Sequence, residues 1–594
     1  MTIKEKIEKL RDLMQDRGID YYIVPTSDPH GSEYLNPHYE SRYFMSGFSG
    51  SAGTLIVSNG EAALFVDGRY HIQADNEVDS NVIKVYKVGI PGVPNYLQYL
   101  KEKCSSEIIG FDGNAFSEKA YERLRHDLPQ CEFYIEEDLV DIIWEERPLR
   151  SCEDIYLLSD DISGVKAINK INDIKEYLFK NMLDGLFISE LSDIMWIFNI
   201  RGNDITHNPV TFSYCLITKD SCTLFLQDRA VNDELIDYLK ASDTYIASYD
   251  EIKLELAKLK GKLVALDKES TSSLNYKILS CGNDIKSINN YDVIKKHIKN
   301  AVEIENCRKY HKLDAVSMIK FIVYIKEAVK SEKLTEYDAA MYLDKLRSEN
   351  EGFKDISFDT ICAYKENAAI VHYSPDENNS KILKDEGLLL VDSGAQYLGA
   401  TTDITRTIPL GKLTYEEKEA YTLVLKGNLR LMDAVFIRGS RGENLDILAR
   451  EALWKKGLDY MHGTGHGIGA FLNVHEGPCS IRYKISENLQ PELEPGMILS
   501  DEPGLYILGK FGIRHETQVL IEERFNTEYG TFLGFSPLSL VPFEKEAIIL
   551  ELLSNEEIDI LNKYHKLCYN ELCDLLSSKE KEWLIKETSS INFE

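Results

Sequence analysis

Leu388-Leu389-Leu390-Val391-Asp392 decides the reading, because an acid ends an apolar run of the kind that makes a buried strand. Eleven residues later Asp403 stands in Thr401-Thr402-Asp403-Ile404-Thr405-Arg406, a second strand-like segment. Gly394 and Gly399 lie between them, so the two strands are expected to form a hairpin with both carboxylates at one end. Buried carboxylates are costly unless paired, hydrogen-bonded or bound to metal. Taken singly, either aspartate is better explained as a strand-end acid that caps a turn or faces an arginine.

Further along comes His462-Gly463-Thr464-Gly465-His466-Gly467-Ile468-Gly469, where glycines on both sides of a histidine let the backbone approach a ligand closely. Gly465-x-Gly467-x-x-Ala470 matches a dinucleotide-loop variant, but no long strand leads in and Pro478 bars an ordinary helix beyond it. Met497-Ile498-Leu499-Ser500-Asp501-Glu502-Pro503-Gly504 reads as a strand ending in acid and a turn. In Gly512–Ile521, Glu516 opens an apolar strand fourteen residues after Glu502, and Gly504–Gly512 would join the two as antiparallel neighbours. Each glutamate alone is more often solvated or arginine-paired. Together, four carboxylates on apolar strands and one glycine-flanked histidine form a ligand set. Two divalent cations would neutralise the four acids, and oxygen-rich ligation with one imidazole suits manganese better than tetrahedral zinc. Such a pair can generate a nucleophile near neutral pH, which is hydrolase chemistry. No Gly-x-Ser-x-Gly elbow, His-Glu-x-x-His helix or phosphate loop competes with this reading.

The 594 residues suffice for several domains, and 43% hydrophobic content supports real cores. A formal charge of −30 repels phosphate backbones, so no nucleic-acid partner is expected. No apolar segment follows the mixed charges of Lys4, Glu5, Lys6, Glu8 and Lys9, and no apolar run reaches the ~18 residues of a membrane span. Eleven scattered cysteines without a Cys-x-x-Cys pair argue against a disulfide framework and a cysteine-based zinc site. These features predict a reduced cytoplasmic protein with no membrane partner.

An α/β plan runs twice before the candidate ligands. A helical stripe over residues 2–17 leads to a strand at Tyr21–Val24, then to Thr54–Val57 and Ala62–Val66 joined at Asn59-Gly60, a hairpin signal. After a break at Arg147-Pro148, Asp184 leading into Gly185–Ser189, and later Leu224-Phe225-Leu226-Gln227-Asp228, repeat the order. The spacing agrees as well: 67 − 20 = 47 from Asp20 to Asp67, against 228 − 184 = 44 from Asp184 to Asp228. The expected domains are 1–150 and 151–299, two related α/β units, and 300–594, with a helical extension from about 543. Val302–Ala328 reads as a long helix, and Thr414-x-x-Glu417 and Ser554-x-x-Glu557 as capping boxes.

The order Asp392, Asp403, His466, Glu502, Glu516, with its local sequence, resembles the dinuclear ligand set of the pita-bread metallopeptidases, which include methionine aminopeptidase, prolidase and aminopeptidase P. Over essentially the whole chain the resemblance is to the long, three-domain, cytosolic form of Xaa-Pro aminopeptidase. Ser46–Thr54 and Val66-Asp67-Gly68-Arg69-Tyr70 resemble its first domain, and Arg201-Gly202-Asn203-Asp204 with His207-Asn208-Pro209-Val210 its second. Tyr564-His565 and Trp583–Thr588 resemble its C-terminal extension. The resemblance implies two creatinase-N-like α/β domains before a pita-bread catalytic domain. It implies two metal ions, with manganese favoured: Asp392 chelating one, Asp403 and Glu516 bridging both, and His466 and Glu502 completing the other. Glu502 would also hold the nucleophilic hydroxide and accept its proton. His372 and His475 would lie near the scissile carbonyl, and His462 beside the proline pocket, all three binding substrate.

The implied activity is release of one N-terminal residue from peptides with proline second, by a homodimer. The rivals are a prolidase confined to dipeptides and an inactive pita-bread binding module. Arg514 would balance the acidic cluster. His515 stands where an aliphatic residue is expected, and strand alternation points it away from Glu516.

Overall fold

In the computed structural model, which describes residues 1–484 and 490–591, Thr2 caps a helix at Ile3–Arg17 through a reciprocal bond with Glu5. Residues 485–489 and 592–594, in the third expected domain, lie outside the described residues. The chain divides into two units: Met1–Asp160 with Val165–Lys295, and Asp161–Gly164 with Lys296–Glu594.

The first unit holds two six-stranded sheets of the same topology. In one, the spatial order is Lys84–Lys87, Ala62–Val66, Thr54–Ser58, Tyr21–Pro25, Ile108–Phe111, Glu132–Tyr134. In the other it is Tyr245–Ser248, Cys222–Leu226, Ser213–Thr218, Gly185–Ile188, Leu263–Leu266, Asp284–Ser287. Each puts its first strand at the centre, with an antiparallel hairpin and one further parallel strand on one side and two parallel strands on the other. The duplication expected from spacing is therefore a repeated topology. Strand alternation builds the packing: Tyr22 and Val24 join Leu10 and Met14 of the first helix on one face, while Ile23 joins Tyr99 and Leu100 on the other.

The second unit opens with the helix Ala301–Ala328, capped by Asn300 and Glu303. The expected capping boxes of Thr414 with Glu417 and Ser554 with Glu557 are formed, starting the helices Tyr415–Met432 and Asn555–Leu572. A three-stranded sheet sets Leu388–Ser393 between Ile361–Tyr364 and Ile404–Pro409. A six-stranded sheet runs Val435–Ile437, Gly530–Pro537, Thr517–Thr527, Ile498–Asp501, Gly465–Gly467, Glu476–Ile481. The helices and sheets share one apolar core, in which Phe321, Leu389, Val424 and Val519 are buried. Gly504–Gly512, expected as a simple connector, is part of a hairpin of Gly504–Ile507 with Phe511–Arg514, and Gly509 adopts φ +74 in its turn.

Candidate metal centre

Asp392 lies opposite Thr405 in the antiparallel pair of Leu388–Ser393 and Ile404–Pro409, so Asp403 falls just beyond the same end of that ladder. In the larger sheet, Asp501 lies opposite Thr517, which brings Glu502 and Glu516 together one residue past the ladder. Glu516 then bonds across to the smaller sheet: its amide donates to the Thr405 carbonyl at 3.0 Å, and the Thr405 hydroxyl donates to Glu516 Oε2 at 2.7 Å.

His466 sits on an inner strand flanked by Gly465 and Gly467. A Cβ at Gly465 would lie 2.0 Å from the Ser500 carbonyl oxygen, and one at Gly467 would lie 2.3 Å from that of Glu476. Only glycine fits on either side, and the strand is held close to both neighbours. The His466 amide donates to Ser500 Oγ at 3.0 Å. Its Nδ1 lies 3.0 Å from the Gly467 carbonyl, a contact that assigns the proton to Nδ1. Nε2 then turns toward Asp403 Oδ2 at 3.5 Å and Glu502 Oε1 at 3.6 Å.

One ligand atom each from Asp403, His466 and Glu516 lies within 4.8 Å of the others. Asp392 Oδ1, Asp403 Oδ1 and Glu516 Oε1 are buried and have no hydrogen-bond partner. Burial first, then the neighbouring carboxylates, push Asp403 and Glu516 well above the usual carboxylate range. Burial likewise pushes Glu502 up to about 7, against the opposing pull of Arg514. Arg514 is the cation in contact: its guanidinium reaches Asp392 Oδ2 through Nε at 3.1 Å and Nη2 at 2.5 Å. One guanidinium cannot satisfy four clustered acids. Oxygen donors stripped of partners, facing an imidazole with its proton held on the far nitrogen, suit divalent cations bound among them.

His475 lies edge-on to His466, with ring centroids 4.3 Å apart, close enough that an imidazolium there would favour the ionised forms of Asp403 and Glu502. His462 Nδ1 contacts the Gly463 carbonyl at 2.6 Å and its Nε2 meets the Tyr506 hydroxyl at 2.9 Å. Burial, then Arg514, pushes His462 down to about 3, with His372 a smaller influence of the same sign. His372 is half-buried, just after the short helix Lys365–Ala369. His515 points away from the cluster: its buried ring lies edge-on to Tyr421 and Phe543, at 4.3 and 5.3 Å.

Two contributors have no sequence signature. Tyr506, in the unexpected hairpin, accepts from Arg514 Nη1 at 2.7 Å and so joins His462 to the arginine that holds Asp392. Thr405 looks like any strand threonine until its partner across the sheets is known.

Known proteins match this architecture throughout. Residues 305–523 match the model of metallopeptidase family M24, and residues 531–591 that of its C-terminal region. Residues 6–143 and 146–303 each match a creatinase/prolidase N-terminal domain. The chain is 38% identical to the probable Xaa-Pro aminopeptidase P of Sordaria macrospora, over 99% of this chain and 100% of that protein. It is 37% identical to the Neurospora crassa counterpart, over 99% of this chain and 90% of that one. The crystal structure of X-prolyl aminopeptidase from Caenorhabditis elegans, described as a cytosolic enzyme with a di-nuclear active site, superposes with a TM-score of 0.94. It shares 32% identity, with all of both chains covered.

Proposed function

This chain belongs to metallopeptidase family M24, within the Xaa-Pro aminopeptidase P relatives, and from that premise we propose that it removes the N-terminal residue from peptides whose second residue is proline. The observation that carries the proposal is the cluster of Asp392, Asp403, His466, Glu502 and Glu516, in which three buried carboxylate oxygens have no hydrogen-bond partner. These five residues would hold two divalent cations, with manganese the best match to an oxygen-rich set. Bound there, the cations would supply the charge that keeps the acids ionised and the Lewis acidity that makes water nucleophilic near neutral pH.

The protein's own groups do the rest. Arg514 fixes Asp392, Thr405 fixes Glu516, and Ser500 sets the backbone of His466. Glu502 accepts the proton of the attacking water. His372 and His475 bind substrate at the scissile carbonyl and stabilise the charge that develops on its oxygen. The prolyl nitrogen carries no hydrogen before cleavage and must be protonated to leave, so one of these groups returns a proton to it. His462, held by Tyr506, lines the pocket for the proline ring.

We assign residues 1–150 and 151–299 to two related α/β domains and 300–594 to the catalytic domain. We also assign the protein to the cytoplasm as a homodimer acting on free peptides, with no nucleic-acid or membrane partner. The description of the nematode relative as cytosolic supports that location, and among the described residues no helix is long and apolar enough to cross a membrane.

Mass spectrometry of the manganese-supplied protein with Arg-Pro-Pro, Arg-Pro and Arg-Ala-Ala tests the activity. Release of arginine from the tripeptide with proline, and not from Arg-Ala-Ala, is expected. Cleavage confined to Arg-Pro would make it a prolidase. No cleavage with metal bound would leave a binding module.

A further inference from the structure

Cys104, Glu107 and Cys131 form no motif along the chain, yet the first sheet brings them to one corner. The strands Ile108–Phe111 and Glu132–Tyr134 are parallel neighbours with Ile108 opposite Glu132, so Glu107 and Cys131 enter the sheet side by side. The Glu132 amide donates to the Glu107 carbonyl at 3.2 Å. Cys104 ends the helix Tyr96–Lys103, and Gln130 Nε2 donates to its carbonyl at 3.3 Å, fastening that helix end beside Cys131. The two sulfurs and one Glu107 carboxylate oxygen all lie within 4.8 Å of one another.

The carboxylate is held in place by the backbone before it. The Ser106 amide donates to Glu107 Oε2 at 2.7 Å, and the Ser105 amide donates to the same oxygen. Cys104 is buried, while Cys131 and Glu107 are half-buried, so one side of the cluster is open to water. This corner is distinct in chemistry from the catalytic cluster, whose donors are four carboxylates and an imidazole.

We propose that Cys104, Cys131 and Glu107, with solvent as the fourth ligand, bind a soft or borderline divalent cation of the zinc class. Both thiols give up their protons to solvent as the sulfur–metal bonds form, and no redox change occurs. The donor sets sort the metals: thiolates favour the softer ion here, and carboxylates favour the harder ions at the catalytic centre. The sequence spacing, 131 − 104 = 27, matches no metal-binding motif, so the juxtaposition is visible only in the fold.

The test is a Cd2+ titration of the full-length, reduced, manganese-supplied protein, followed by the ultraviolet sulfur-to-cadmium charge-transfer band. No cysteine lies among the catalytic ligands, so the band reports thiolate sites alone. One equivalent of Cd2+ should develop the band. Cys104→Ser and the half-buried Cys131→Ser should each abolish its tight phase, and Glu107→Gln should weaken binding at least roughly tenfold. Cys222→Ser, which removes one thiol of the separate pair Cys215 and Cys222 in the second sheet, should leave it intact. No band in the wild type, or a band that survives Cys131→Ser and Cys104→Ser or vanishes with Cys222→Ser, would overturn the proposal.

Discussion

Thr405 and Glu516 are fastened to each other twice, by the Glu516 amide on the Thr405 carbonyl at 3.0 Å and by the Thr405 hydroxyl on Glu516 Oε2 at 2.7 Å. One residue belongs to the small sheet carrying Asp392. The other adjoins the large sheet carrying His466. The double bond pattern therefore sets the distance between the two halves of the ligand cluster.

Replacing the hydroxyl tests this directly. Thr405→Val keeps the shape but frees Glu516 Oε2, and metal affinity and kcat/KM should fall roughly 10–100-fold. Thr405→Ser should recover most of the loss. Manganese titration alongside steady-state kinetics checks both.

Asp403→Asn should take activity to background and sharply reduce bound metal. In metal-free protein the same change removes one of the crowded acids that burial and its neighbours already push toward protonation. Its melting temperature without metal should therefore not drop, and with manganese it should lose the stabilisation seen in wild type. Calorimetry with and without manganese measures both arms. Retained turnover with full metal content would defeat the ligand assignment.

Tyr506→Phe removes the hydroxyl shared by His462 and Arg514. Loss of one such bond to a charged group should lower kcat/KM about tenfold. The loss should fall mainly on KM for proline peptides if the hydroxyl positions His462 in the pocket. A pure fall in kcat would place its effect at Asp392 instead.

His565 predicts a pH dependence of stability. Its Nε2 accepts from the Phe543 amide at 3.2 Å, and burial pushes the ring down to about 3. The folded pKa lies below the unfolded one, so this group's contribution is full above about pH 6.5 and is lost as pH falls toward 3. The slope from one such group is at most about 1.4 kcal/mol per pH unit. His565→Gln offers a carbonyl acceptor but does not titrate, so its denaturation midpoint should change less than wild type between pH 6.5 and 5. Parallel curves would refute the assignment.

Much of this was legible because the chemistry is local. The apolar run ending at Asp392, the glycines after it and the matching run at Asp403 define a ladder whose end must collect both acids, and the observed register does so. The alternation that sends His515 behind the site held too, since its ring packs on Tyr421 and Phe543. What escaped was anything created by approach between distant segments. Thr405 acquires its meaning from a residue 111 positions away. Gly504–Gly512 carries turn residues that suit a connector, and only the pairing of Leu505 with Ile513 reveals the hairpin that delivers Tyr506. Cys104 and Cys131 escaped for the same reason: a parallel strand pairing and the end of the helix Tyr96–Lys103, not a spacing rule, make them neighbours.

The flanks of His466 carry a different kind of information. Because added atoms at Gly465 and Gly467 would collide with the carbonyls of Ser500 and Glu476, the imidazole is located by what its neighbours lack. In a saturation scan of single substitutions these two positions should score as intolerant as the ligands themselves, although neither offers a donor atom to any ion. A search for the site by side-chain chemistry passes over them, whereas a search by forbidden volume finds them first.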